Sequence, residues 1–186
     1  FSEKVGSILM YDVVEYYLRE TGAVDINTKN EDGSTALGMA AIFAEDVEII
    51  QILIRYGALV NSVNDNGYSA LHMAALFNPN PEVIRVLVES GAQINLQDYA
   101  GYTALHRVSP YQENPEVLDA LLDAGASPFI RNNRGSLPID LIKRNEHIAG
   151  SEAYYRLQRP TPLPGKQTAP YRGDLPPVED YKSCKK

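Results

Sequence analysis

The chain has 186 residues, 44% hydrophobic and 22% charged, which suits a domain with a buried core and is too apolar for wholesale disorder. Its formal net charge of -7 disfavours nucleic acid as a partner, because proteins that bind phosphate backbones electrostatically are usually basic. No apolar run approaches the roughly 18 residues that a membrane span needs, and a single cysteine, Cys184, excludes an internal disulfide.

Four series of residues recur along the chain at an interval of 34 residues. The series are Gly33, Gly67, Gly101 and Gly135; Gly57, Gly91 and Gly125; Asn27, Asn61 and Asn95; and Glu48, Glu82 and Glu116. A period of roughly 20 to 50 residues is the signature of solenoids, in which each unit buries its apolar face against its neighbours. The spacing therefore predicts a stack of repeated units.

The first helix of each unit is predicted a few residues after the turn glycine. It opens with Ala-Leu at residues 36, 70 and 104, and alanine pairs at 40–41 and 74–75 allow neighbouring helices to pack closely. The third unit departs from this pattern. Arg107 stands at the position that precedes the alanine pair in the first two units, and Pro110 is expected to shorten the helix.

The second helix of each unit carries its own start and stop signals. Asp46, Asn80 and Asn114 are predicted to cap its start, and a proline follows the two asparagines at the first helical position. Apolar residues then recur at helical spacing, so Leu87 and Leu121 are predicted to be deeply buried. Glycines at 57, 91 and 125 are predicted to end these helices in the left-handed conformation.

The composition changes after Gln158. Six prolines fall within residues 159–186, and the helical spacing ends. Such a segment favours an extended, polyproline-like conformation. We expect this tail to be held along the repeats or, in preference, by a partner.

The first-helix segments resemble the signature of the ankyrin-repeat family, Gly-x-Thr-Pro-Leu-His-x-Ala-Ala. Residues 67–75 read Gly-Tyr-Ser-Ala-Leu-His-Met-Ala-Ala, and residues 101–106 read Gly-Tyr-Thr-Ala-Leu-His. The resemblance covers about residues 12–158 and implies an all-α repeat solenoid of stacked helix-turn-helix units with projecting β-turn or hairpin loops. It divides residues 1–158 into a cap, three full repeats and a second cap, followed by the tail; the segments are 1–30, 31–64, 65–98, 99–132, 133–158 and 159–186.

The residues available for chemistry point away from an enzyme. The resemblance assigns His72 and His106 to a consensus position where the imidazole binds the turn backbone, and His147 stands alone. The chain has no Cys-x-x-C or His-x-x-x-His pair, and each glycine is explained by a turn or a cap. We therefore expect no catalytic activity, no cofactor, no metal and no small-molecule substrate.

The candidate partner-binding residues lie, by position, on the turns and on the inner face of the first helices. Aromatic and arginine side chains, which are enriched at protein interfaces, predominate among them. They are Asp65, Tyr68, Tyr99, Tyr102 and Arg134 on the turns, and Phe43, Phe77, Arg107 and Tyr111 on the helices. For Phe43 and Phe77, packing between repeats stays an equal alternative, whereas the turn tyrosines are interpreted as binding residues without a packing role.

The leading hypothesis is a non-catalytic scaffold, a subunit or adaptor within a larger assembly, that binds proteins through its concave face, turn tips and tail. One alternative is an inhibitor or immunity protein that blocks a partner enzyme. Another is an accessory segment of a larger enzyme. Because no feature depends on an oxidising compartment, an intracellular site, cytoplasmic or organellar, is expected. The chain starts at Phe1, so a preceding signal or transit segment is left open.

Overall fold

The computed structural model describes residues 25–108 and 112–158, which form four successive pairs of helices and no sheet strand. The pairs are α1 (Ala36–Phe43) with α2 (Glu48–Arg55), α3 (Ala70–Phe77) with α4 (Pro81–Glu89), α5 (Ala104–Arg107) with α6 (Pro115–Asp123), and α7 (Pro138–Ile142) with α8 (Glu152–Gln158). The all-α repeat solenoid is confirmed. The predicted first cap, up to residue 24, and the proline-rich tail lie outside the described residues.

The helices form two layers that run along the stack. The first helices α1, α3, α5 and α7 contact one another in succession, and the second helices α2, α4, α6 and α8 do the same. Each pair also packs internally, so that every unit contacts the next through both layers. The first helices and the turns before them therefore share one side of the molecule.

The helix boundaries follow local chemistry. The side chains of Asn80 and Asn114 accept hydrogen bonds from the second residue of α4 and α6, and each helix begins with the predicted proline. Asp46 accepts a bond from the Glu48 amide at 3.0 Å, but α2 begins only at Glu48, with Val47 as its cap. The predicted start of that helix was therefore wrong by one residue.

The core is assembled from equivalent positions of successive units. Leu37, Leu71 and Leu105, from the first helices α1, α3 and α5, are fully buried. Leu87 and Leu121, the second-helix residues predicted to be deeply buried, have no exposed surface. Because each leucine packs against its own pair and the next, the units stabilise one another rather than folding around separate cores.

The turn glycines are required for two reasons, as Gly67 shows. Its φ of +81° is left-handed, and an added Cβ would lie 2.7 Å from the backbone nitrogen of Tyr99 in the next turn. That same nitrogen donates a hydrogen bond to the Asn66 carbonyl at 3.3 Å. Successive turns are therefore stacked backbone against backbone, and a side chain at Gly67 would force them apart.

Two series of side-chain amides join the units. Asn61 donates to the Gly91 carbonyl at 2.9 Å and accepts from the Gln93 amide at 2.8 Å, which explains the asparagine series in the sequence.

A buried amide, Asn78, donates to the carbonyls of Ala41 and Ala44 in the preceding unit. The equivalent Gln112 and Asn145 make bonds of the same kind. These bonds satisfy the carbonyls left unpaired at the ends of the first helices and around them.

The first helix of the third repeat, α5, is short. It spans four residues, against eight in α1 and in α3. The shortening agrees with the effect expected of Pro110, which lies with residues 109 and 111 outside the described part of the chain.

Candidate functional site

Two phenylalanines are exposed at equivalent positions of neighbouring first helices. Phe43 ends α1 and Phe77 ends α3, and they are 72% and 51% exposed. Leu76, the neighbour of Phe77 in sequence, is buried, so the two adjacent side chains lie in different environments. Since α1 packs directly on α3, the two rings lie at equivalent positions of contacting helices.

The turns that precede the first helices carry the other exposed candidates. Asp65 and Tyr99 occupy the same position in successive turns, and the Tyr99 side chain is among the most exposed large hydrophobic residues of the described chain, at 69%. Arg134 is exposed on the following turn. The Asn133 amide next to it donates to the Tyr99 carbonyl at 3.1 Å, which ties the last two turns together.

Charge is distributed unevenly along these tips. Glu31, Asp32 and Asp65 are exposed on the first two turns, whereas Arg131 and Arg134 are exposed on the last turn. The first end is therefore acidic and the other basic. A bound segment of opposite polarity would be oriented by this arrangement.

Arg107 forms a buried ion pair with Asp98. Its Nε donates to Asp98 Oδ2 at 3.0 Å, and its Nη2 donates to the same oxygen. The Asp98 side chain is fully buried, and the Arg107 side chain is 17% exposed. Arg107 is thus committed in part to its own protein, rather than being the open surface charge that its position suggested.

The same guanidinium contacts two tyrosine rings. Its carbon lies 4.4 Å from the ring centroid of Tyr68 and 4.3 Å from that of Tyr102, within the range of cation–π attraction. Tyr68 also stacks on His72, with centroids 6.2 Å apart. Both tyrosines are half-buried. The prediction that they have no packing role was wrong: the arginine of the shortened helix draws both rings into an intramolecular cluster.

The two consensus histidines bind the turn backbone, as the resemblance implied. Nδ1 of His72 accepts from the Ser69 amide at 3.2 Å, so Nε2 carries the proton and donates to the Tyr102 carbonyl at 3.0 Å. His106 makes the same contacts with Thr103 and Ser136. Burial lowers the pKa of both imidazoles, because a charged ring loses its hydration there. Both are neutral structural groups.

Asp98 is the member of this cluster that the sequence interpretation missed. It occupies the position of Asn30, Asn64 and Asn132, whose side-chain oxygens each accept two amide hydrogens of their own turn. Asp98 keeps both bonds, to Ala100 at 2.9 Å and Tyr102 at 3.0 Å. A signal was present: in the same unit an aspartate replaces asparagine and Arg107 replaces the methionine of the earlier first helices.

One candidate partner-binding residue, Tyr111, lies outside the described residues. In the described part of the chain, no three His, Cys, Asp or Glu residues group closely enough to hold a metal ion. Over the same residues, no helix combines the length and apolar character needed to cross a bilayer.

Comparison with known proteins agrees with this architecture. A family model described as ankyrin repeats (3 copies) matches residues 7–98, and one described as ankyrin repeats (many copies) matches residues 78–122. No curated protein matches the chain. Ankyrin repeats generally mediate protein–protein interactions and are typically non-catalytic. The helix pairs, the stacked glycine turns, the histidine contacts and the two overlapping matches show that this chain belongs to the ankyrin-repeat family.

Proposed function

We propose that this chain is a non-catalytic protein-binding subunit or adaptor of a larger assembly, and that it holds its partner on the side formed by the first helices and turns. The observation that carries the proposal is the exposure of Phe43 and Phe77 in register on α1 and α3. Burying a phenylalanine side chain gains about 1.5–3 kcal/mol relative to leaving it in water. A partner that covers both rings would therefore gain substantial affinity from this surface.

The turn tips would extend the contact beyond the two rings. Tyr99 offers an exposed ring with a hydroxyl that can still hydrogen-bond, a combination that suits an interface. Asp65 and Arg134, on earlier and later turns, supply opposite charges that would fix the direction of the bound segment. Tyr111, which follows Phe77 by one 34-residue interval in the sequence, and the tail at 159–186 belong to the same proposal.

Tyr68 and Tyr102 take a different part in the proposed surface from the other aromatic residues. Their rings contact Arg107, so replacing either by alanine would disturb the ion pair as well as any bound partner. Loss of binding in such a variant would not separate the two effects. Phe43 and Phe77 are free of this ambiguity, because each is exposed at the end of its helix.

The test is to capture partners from native extract with the wild type and with Phe43→Ala/Phe77→Ala, then measure the affinity of each captured protein in purified form. Leu59→Ala is the matched control, because Leu59 is equally apolar and 62% exposed but follows the second helix. Truncating a central anchor commonly costs about 2 kcal/mol or more, so the double variant should lose at least about thirtyfold in affinity. Wild-type affinity in the folded double variant would refute the proposed surface.

A further inference from the structure

Within the described residues, the guanidinium of Arg107 is only partly used by its own protein. Nε and Nη2 donate to Asp98, whereas Nη1 has no hydrogen-bond partner among the described residues. An arginine carries five N–H donors, and Nη1 holds two of them. Because the side chain retains some exposure, these donors are available to a bound group.

The guanidinium is held in one orientation before any ligand arrives. Asp98 is itself fixed, since its other oxygen accepts the amides of Ala100 and Tyr102. The rings of Tyr68 and Tyr102 contact the guanidinium carbon at 4.4 and 4.3 Å. An arginine fixed in this way loses little conformational entropy on binding, and its planar donors suit a carboxylate.

The ion pair is not a requirement of the repeat. The preceding unit builds the same turn and first helix with Asn64 and Met73 at the positions of Asp98 and Arg107. A buried ion pair is often no more stabilising than an apolar replacement of similar volume. Fold stability alone therefore gives no reason for this unit to carry a charged pair.

The surroundings favour an acidic ligand of low charge. The hydroxyls of Tyr68 and Tyr102 have no hydrogen-bond partner within the described residues, and both rings border the guanidinium. Arg131 and Arg134 are exposed on the next turn. Asp98 already offsets the charge of Arg107, so a singly charged carboxylate fits this site better than a doubly charged phosphate.

We propose that Arg107 binds the carboxylate of an aspartate or glutamate in a partner segment, and that Phe43 and Phe77 receive an apolar residue of the same segment. This inference rests on the proposed function, because it assumes a protein ligand on the first-helix side. It assigns the ligand a chemistry and a direction. The apolar residue lies toward α1, and the acidic residue lies toward α5.

The experiment uses a display library of random linear peptides selected against the full chain, followed by affinity measurements on synthetic versions of the selected peptides. Each peptide is compared with a copy in which its Asp or Glu is replaced by Asn or Gln. The same peptides are measured against Asp98→Asn/Arg107→Met, which restores the residues of the preceding unit. Tyr68→Phe/Tyr102→Phe, which removes only the hydroxyls, is the second variant, and circular dichroism and thermal melting check that both fold.

We expect the selected peptides to share an acidic residue at a fixed distance from an apolar one. Neutralising that residue should weaken binding to the wild type about tenfold or more, because hydrogen bonds between charged groups are the stronger kind. The loss should shrink to about twofold or less against Asp98→Asn/Arg107→Met. If that variant does not fold, Tyr68→Phe/Tyr102→Phe must still show a smaller loss of affinity than the wild type when the acidic residue is neutralised.

Four results would overturn the inference, and they fall into two distinguishable groups. Selected peptides without a preferred acid, whose binding still depends on Phe43 and Phe77, would refute the role of Arg107 and leave the proposed function intact. If neutralising the acidic residue weakened binding equally in the wild type and the variants, the role of Arg107 would also be refuted and the proposed function left intact. Peptides indifferent to Phe43→Ala/Phe77→Ala, or a library that yields no binder, would refute the proposed surface together with the inference.

Discussion

Nε2 of His72 donates a hydrogen bond to the carbonyl oxygen of Tyr102, 3.0 Å away and one repeat further along the chain. His106 reaches the Ser136 carbonyl at 3.2 Å in the same manner. Each ring therefore joins its own turn to the next, and does so as a neutral group whose second nitrogen accepts a hydrogen bond. Protonation of that nitrogen would remove the acceptor and place a charge in the core.

Acid should therefore weaken the stack. Burial lowers the pKa of His72 and His106 below the ordinary value of 6.5, so the unfolded chain binds protons first as the pH falls. The stability that these rings contribute is fully present above about pH 6.5 and is lost as the pH falls from there towards their folded pKa. Urea unfolding between about pH 7.5 and pH 5, above the range of ordinary carboxyl groups, measures this slope.

The control for this prediction removes the two buried imidazoles. His72→Gln/His106→Gln should unfold with a shallower dependence on pH, because neither side chain then titrates. A wild-type free energy of unfolding that stays constant down to about pH 5 would contradict the argument.

Gly67→Ala should destabilise the protein more than the same change at the last turn. Gly67 combines a φ of +81° with the Tyr99 backbone 2.7 Å from an added Cβ. Gly135 has a φ of +77° but no described atom within 4 Å of that point. The left-handed conformation costs an alanine about 1–2 kcal/mol at either site, and the backbone clash adds a further cost at Gly67 alone. Equal losses of unfolding free energy, measured by chemical denaturation, would show that the turns separate without penalty.

Leu87→Ala should cost about 2–5 kcal/mol of unfolding free energy by leaving a cavity. Leu87 has no exposed surface and lies in α4, which packs on both α2 and α6. Leu59→Ala, at an exposed site, should change the stability by less than about 0.5 kcal/mol. A loss at Leu87 as small as that at Leu59 would contradict its placement in the core.

Asn78→Ala should cost about 2 kcal/mol or more, because it leaves two carbonyls without their donor in a buried position. Asn78 donates to Ala41 at 3.1 Å and to Ala44 at 2.9 Å. Asn61→Ala also removes two bonds between units, but at an exposed site where water can replace them, so about 1 kcal/mol is expected. Thermal or urea unfolding of the two variants provides the comparison, and a larger loss at Asn61 would refute the argument from burial.

Equivalent positions were predictable from the sequence where one residue type recurs, and much less so where it varies. The asparagine series ending at Asn95 was visible because its members are identical. The buried series of Asn78, Gln112 and Asn145 performs a similar task with two residue types and an uneven spacing of 34 and then 33 residues, so it escaped notice. An asparagine or a glutamine side chain can make the same kind of hydrogen bond, whereas a sequence repeat is recognised only where the residue type stays the same.

By itself, the sequence determined the repeat, the order of helices and the turn glycines, because each depends on local spacing or on one residue's conformational freedom. The backbone role of His72 was implied by the family resemblance. Only the tertiary structure decided which aromatic residues face water. Leu76 and Phe77 are neighbours in sequence, yet one is buried and the other exposed, a difference that depends on how the helices pack. Likewise, Arg107 meets Tyr68 from the preceding unit only because stacking sets the register between turns, and that distance is a property of the packed repeats rather than of either segment alone.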